Sequence, residues 1–234
     1  MNFTNVWTAD NWQRFLVGDL LNNGQWGGLA VTLAISLLAI PLATAIGALF
    51  GIMRASSFRL PRVVSMLYVN TFRNVPLVIL IFWAYFLPPV LGFDLSQFIS
   101  VLLAITLFSG AYMTDIVASG IRSIAATHRQ AARALGLSQM EVYAWIVIPQ
   151  AFYSMLPALC GRYVLVIKGT SLAFLIGLTE LTEIGKQVNV QIMSAPVAVY
   201  FTVLMIYFVV NWTFSATFRL LERREVFGRV FLRL

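Results

Sequence analysis

The sequence predicts an all-α membrane protein of five transmembrane helices, with the N-terminus out and the C-terminus in. Three observations carry that expectation. Of the 234 residues, 60% are hydrophobic and 11% are charged, about half the charged fraction of soluble domains, and the mean hydropathy is +0.85. The apolar runs are long enough to cross a bilayer, which takes roughly 20 residues per crossing. Eleven of the sixteen Lys and Arg residues fall in three clusters at the ends of those runs, the pattern of cytoplasmic loops.

The clusters are Arg54, Arg59 and Arg62; Arg122, Arg129 and Arg133; and Arg219, Arg223, Arg224, Arg229 and Arg233. A net charge of +7 placed this way argues for topology and against nucleic-acid binding, which expects clustered cations without such hydrophobicity. Spans leave little chain for a soluble domain, so one domain is expected. The lone Cys160 excludes an internal disulfide. One His and one Cys make no metal-ligand cluster. No nucleophile accompanies His128, which reads as loop surface, so the chain is not expected to be an enzyme.

Taken in order, residues 1–27 are polar and aromatic, with Trp7, Trp12, Trp26, Asp10 and Asp19. They lack the basic start and small-residue cleavage site of a signal peptide. Trp anchors place them at the outer interface. Residues 28–218 hold the five helices, and residues 219–234 form a cytoplasmic tail.

The first span is Leu29 to Met53, where Gly47 and Gly51 offer a small-residue face for packing within the chain or for dimerisation. The second, Val63 to Pro89, breaks near Asn74-Val75-Pro76, because proline removes a helical hydrogen bond and pushes its predecessor out of the helical region. Arg73 beside the break either snorkels to the inner edge or faces a water-lined path. A short outer loop with Asp94 leads to the third span, Phe98 to Ile121. Asp115 near its inner end, close to Arg122, is expected either to form an internal ion pair or to lie at the interface. The fourth span runs from Trp145 to Lys168. Asn189 to Pro196 closes an outer segment, and Val197 to Phe218 is the fifth span. No internal repeat is evident.

Between the third and fourth spans, about 128–140, lies a short amphipathic helix ended by a glycine. Its apolar positions Ala131, Ala134 and Leu135 share a face, suited to lying on lipid or to docking in a partner's groove. Arg162 and Lys168 lie within and at the end of an apolar run, where cations usually face a cavity or a counter-charge. Thr170 and Ser171 follow, with flexible backbone at Gly169.

Gln130-Ala131-Ala132, Gly136 after three residues, Ile146 after nine more, and Ile148-Pro149 resemble the EAA loop of ABC-importer permeases, E-A-A-x-x-x-G-x(9)-I-x-L-P. Gln130 stands for Glu and Ile148 for Leu. Phe72-Arg73-Asn74-Val75-Pro76-Leu77 resembles the F-R-x-x-P-L segment of the polar amino acid permeases, and looks more like the acidic-substrate members than the basic ones. The run from Lys168 to Thr182 resembles their K-D-T-S-L-x-x-x-I-x-x-x-E-L-T segment, with Gly169 in place of the acid.

The resemblance implies the type I ABC importer (MetI-like) permease fold in a bacterial inner membrane. It implies a coupling helix, carried by Gln130, Ala131, Ala132, Gly136 and Leu137, that docks on a cytoplasmic ATPase. It also implies a substrate path at Arg162, Lys168, Thr170, Ser171 and Arg73, and a gate at Glu180 and Glu183. Nothing resembles G-x-x-x-x-G-K-S/T, so ATP and Mg are expected on two separate ATP-binding subunits. A second permease chain, identical or paralogous, and a periplasmic or lipid-tethered substrate-binding protein complete the expected assembly.

With no acid at position 169, the field near Lys168 and Arg162 favours an anionic group, hence glutamate or aspartate. Pairing of Lys168 with Glu180 or Glu183 is the competing reading. An ion-coupled secondary amino acid transporter is the alternative function, but it expects inverted repeats and usually more spans.

Overall fold

A computed structural model describes residues 6–19, 24–124 and 126–223. Arg224, Arg229 and Arg233, and the side chains of Arg129 and Arg223, lie outside the described residues, as do parts of the N-terminal segment.

The first helix, α1 (Ala9–Phe15), starts at Thr8, whose hydroxyl accepts the Asn11 N–H at 3.3 Å. A two-residue antiparallel pair follows, β1 (Gly18–Asp19) with β2 (Gln25–Trp26). Next come α2 (Gly28–Ala55), α3 (Arg59–Arg73), α4 (Leu77–Val90), α5 (Gln97–Ser123) and α6 (Ala126–Ala134). A helical stretch then runs from Gln139 to Ile176 as α7 (Gln139–Glu141), a π segment (Val142–Val147), α8 (Ile148–Gly169) and a 3-10 segment (Thr170–Ile176). The last helices are α9 (Leu181–Ile192) and α10 (Pro196–Arg223).

Among the described residues four helices are long and apolar enough to cross a membrane: α2, α5, the Gln139–Ile176 stretch and α10. They become five when the sharply bent pair α3 and α4 counts as one span. That pair is the break expected at Pro76. Asn74 caps α3, and Pro76 sits at the N-cap of α4, where a missing N–H leaves no helical bond unmade.

The fourth span departs from expectation, because helix begins at Gln139 and not at Trp145. Two local devices explain this. Ser138 and Glu141 form a capping box: the Glu141 carboxylate accepts the Ser138 N–H at 2.8 Å, and the Ser138 hydroxyl accepts the Glu141 N–H. The wide π turns end just before Pro149, whose ring would collide with the carbonyl four residues back in a regular α-helix.

The chain forms two compact units, and α2, α5, α8 and α10 contribute residues to both. Unit one takes the chain up to Pro41, Pro76–Thr106 and Val164–Ala216. Its core gathers Phe15 with Leu181, Ile184, Val188, Val199 and Val203, and Gly185 lets α9 press on Val203 of α10. Unit two takes Leu42–Val75, Leu107–Tyr163 and the described chain from Thr217 on. There a Cβ added at Gly47 or Gly51 would lie 2.5 Å from the Cβ of Met113 or Val117 on α5. The G-x-x-x-G face therefore serves packing within the chain.

Candidate functional site

In unit two, α2, α3 and α5 bring two guanidinium groups onto one carboxylate, and α8 adds a third guanidinium beside them, over an aromatic ring of α5. Asp115 on α5 accepts Arg54 Nε at 3.1 Å through Oδ1, and Arg73 Nη1 through Oδ2. Arg73 and Arg162 also lie against the Tyr112 ring, 4.7 Å and 4.0 Å from its centroid, and Arg162 lies 5.2 Å from that of Phe108. The aromatic faces offset part of the cost of burying cations. Two buried nitrogens, Arg54 Nη1 and Arg162 Nε, have no hydrogen-bond partner.

The group holds three cations and one anion, with two guanidinium nitrogens unused. Asp115 also lines a cavity of about 470 Å³ with Ser119, Ser123, Ser154 and Met155, within the roughly 300–1,000 Å³ typical of small-molecule sites. Arg73 thus points at a counter-charge. The internal ion pair expected of Asp115 forms with Arg54 and Arg73 as partners, while Arg122 Nη2 donates to the Arg54 carbonyl at 2.7 Å. Tyr112, three residues before Asp115 on the same helix, joins the group without any signal in the sequence pattern.

The expected coupling residues stand together at the end of α6. Gly136 has φ +84°. The Leu137 N–H donates to the Ala132 carbonyl at 3.2 Å and the Gly136 N–H to that of Arg133 at 3.0 Å. This pair of bonds is a Schellman closure, which wants a left-handed residue at Gly136. Ala132 is buried, while Gln130, Ala131, Ala134 and Leu135 are exposed. Leu135 is 83% and Met140 81% exposed, so two large apolar side chains flank the turn without cover in this chain.

The remaining expected residues lie in unit one. Arg162 and Lys168 do not share a face, since six residues of α8 at 100° each leave their side chains roughly 120° apart around the helix. Lys168 is exposed. The Thr170 hydroxyl donates to the Ile167 carbonyl and that of Ser171 to the Lys168 carbonyl, both at 2.8 Å. Neither gate carboxylate pairs with Lys168: Glu183 accepts Lys186 Nζ at 3.1 Å, and Glu180 is fully buried as the N-cap of α9.

The Glu180 carboxylate accepts the Thr182 N–H at 2.9 Å, the Glu183 N–H at 3.0 Å and the Tyr207 hydroxyl at 2.9 Å. Tyr207 on α10 is a site partner that the sequence did not signal. Burial pushes the Glu180 carboxyl from its ordinary 4.5 up to about 7, against the pull of these bonds. The raised value means the native state holds an extra proton between those limits. Stability is therefore fully supported below pH 4.5 and declines as pH rises through 7, by on the order of 3 kcal/mol in all. Thermal unfolding of the purified protein between pH 5 and 8 should show this decline, and Glu180→Gln, which keeps an acceptor but no titration, should flatten it. An equal slope in both proteins would exclude Glu180 as its source.

Comparison with known proteins gives the family. Residues 43–226 match the family described as the binding-protein-dependent transport system inner membrane component. A Bacillus subtilis protein described as a probable glutamine ABC transporter permease is 33% identical over 204 residues, covering 86% of this chain and 93% of its own. The glutamate/aspartate import permease GltK of Escherichia coli is 31% identical over 209 residues, covering 84% and 91%. A crystal structure of an amino acid ABC transporter with histidines matches with a TM-score of 0.78 at 28% identity, over 84% of this chain and 92% of that one. A second solved transporter, the methionine ABC transporter MetNI, shares the fold with a TM-score of 0.72 at 20% identity. With its apolar helices and the fold of type I importer permeases, this chain belongs to the binding-protein-dependent transport inner membrane components, as a multi-pass inner-membrane permease.

Proposed function

We propose that this chain is the permease subunit of an ATP-driven importer of a polar L-amino acid, with an acidic one, glutamate or aspartate, as substrate. The observation that carries this reading is the group of three cations with a single anion, in which Arg54 and Arg73 pair with Asp115 and Arg162 shares the Tyr112 ring with Arg73. Its surplus of two positive charges matches two carboxylates, and its unused guanidinium nitrogens are the donors those carboxylates need. The names of two relatives, a probable glutamine permease and a glutamate/aspartate permease, support the substrate class. Lys168, Thr170 and Ser171 extend the path, and Glu180 with Glu183 governs its closing.

The permease performs no covalent chemistry. ATP and Mg bind to separate subunits, whose closure reaches this chain through the loop from Gln130 to Leu137. A second permease chain completes the path, and a binding protein delivers the substrate. The family match does not favour an ion-coupled secondary transporter, which would leave the exposed loop without a role.

The test is uptake into liposomes holding the assembled importer. Glutamate should be taken up in preference to glutamine or lysine, and Arg162→Gln should raise its apparent KM about tenfold, the effect of one charge-assisted hydrogen bond. Preference for a neutral or basic amino acid, or an unchanged KM in both Arg162→Gln and Arg73→Gln, would sink the acidic reading.

A further inference from the structure

Unit one holds a second cavity, of about 450 Å³, whose lining includes Asp10, Gln13, Arg14, Gln25, Trp26 and Gln187. Its walls are polar, unlike the hollow along α4 lined by Phe82, Trp83, Phe86, Leu87 and Val90. Asp10 and Arg14 are one turn apart on α1 and so share a face, yet neither forms an ion pair among the described residues. Arg14 instead gives Nη1 to Gln191 Oε1 at 2.7 Å and Nη2 to Gln187 Oε1 at 3.3 Å. Those amides are neutral, so among the described residues the guanidinium meets no counter-charge, and three of its five N–H donors have no partner there.

A structural tether between α1 and α9 explains the two glutamine bonds. It does not explain an exposed carboxylate held in the same cavity as an unneutralised guanidinium. Opposite charges kept apart in a polar pocket are complementary to a zwitterion. The ligand's carboxylate meets Arg14 and its ammonium meets Asp10, while Gln13 and Gln25 offer amides to a polar side chain. On the topology expected from the cation clusters, this end of the chain faces outside.

We propose that this cavity is a second, low-affinity site for a free zwitterionic α-amino acid, distinct from the arginine cluster of unit two. It rests on the reading of the chain as an amino acid permease and assigns an arrival point for that substrate.

The full chain in lipid nanodiscs, labelled with 5-fluorotryptophan, provides a local probe, since Trp26 lines this cavity and no tryptophan is among the residues of the arginine cluster. The Trp26 resonance, assigned with Trp26→Phe, should shift saturably with L-glutamate and not with glutarate, which lacks the ammonium. Asp10→Asn should weaken the response about tenfold; Asp10 is exposed, so that variant leaves the fold intact. A silent Trp26, an equal response to glutarate, or an unchanged response in Asp10→Asn overturns the site. Uptake by the assembled importer separates the two readings. Glutamate uptake with a silent Trp26 removes the site alone, whereas a responding Trp26 without any amino acid uptake keeps the site and removes the importer reading.

Discussion

Introducing charge on the exposed apolar side chains flanking α6, as Leu135→Asp with Met140→Asp, is expected to abolish capture of the proposed partner ATPase while the chain still folds and inserts. Both residues are more than four-fifths exposed, so neither contributes much to this chain's own core. Full burial of a Leu or Met side chain in a partner is worth about 1.5–3 kcal/mol. Losing two such contacts, and adding two carboxylates, should therefore weaken association by at least about a hundredfold. Co-purification of the ATPase measures this directly, with thermal unfolding of the variant as the control for folding. Capture at wild-type levels would show that the turn at Gly136 is not the docking element.

A Gly136→Val variant should act in the same direction by another route. Nothing lies within 4 Å of a Cβ at Gly136, so sterics with neighbours play no part. The cost is that of φ +84° for a β-branched residue, about 1–2 kcal/mol. It would open the Schellman closure and move Leu135 and Leu137 away from their present geometry.

The second large effect is expected at Asp115. Asp115→Ala leaves the guanidiniums of Arg54 and Arg73 without their shared counter-charge, beside the already unpaired Arg162. Charge-assisted hydrogen bonds are worth about 1.5–3 kcal/mol each, discounted here because the Asp115 side chain is 27% exposed. Glutamate turnover in the assembled importer should fall about tenfold or more. The apparent KM should not rise, because three unpaired cations hold a carboxylate at least as well as two. A double variant with Arg73→Gln should recover part of the loss, since contacting residues couple. A raised KM with unchanged turnover would contradict the pairing of Asp115 with the arginines as the relevant feature.

The sequence determined what depends on a residue and its immediate neighbours. Pro76 forces a break wherever the flanking chain lies, because its ring forbids the helical bond. Gly136 ends α6 because only a residue free of the Cβ penalty takes positive φ without cost. Apolar run length and the Arg clusters carried the helical membrane class, and the twenty-residue register from Gln130 to Pro149 carried the family. Tertiary structure decided which distant side chains meet. Asp115 pairs with Arg73, 42 positions away, and with Arg54, not with Arg122, which is nearer in sequence. Glu180 caps α9 and accepts Tyr207, 27 positions on, not Lys168. The small-residue face at Gly47 and Gly51 met α5 of the same chain. The physical reason is common to all three. An ion pair or a close helix contact needs two elements side by side at a given rotation, and that proximity is set by the packing of whole helices, which no local pattern of residues encodes.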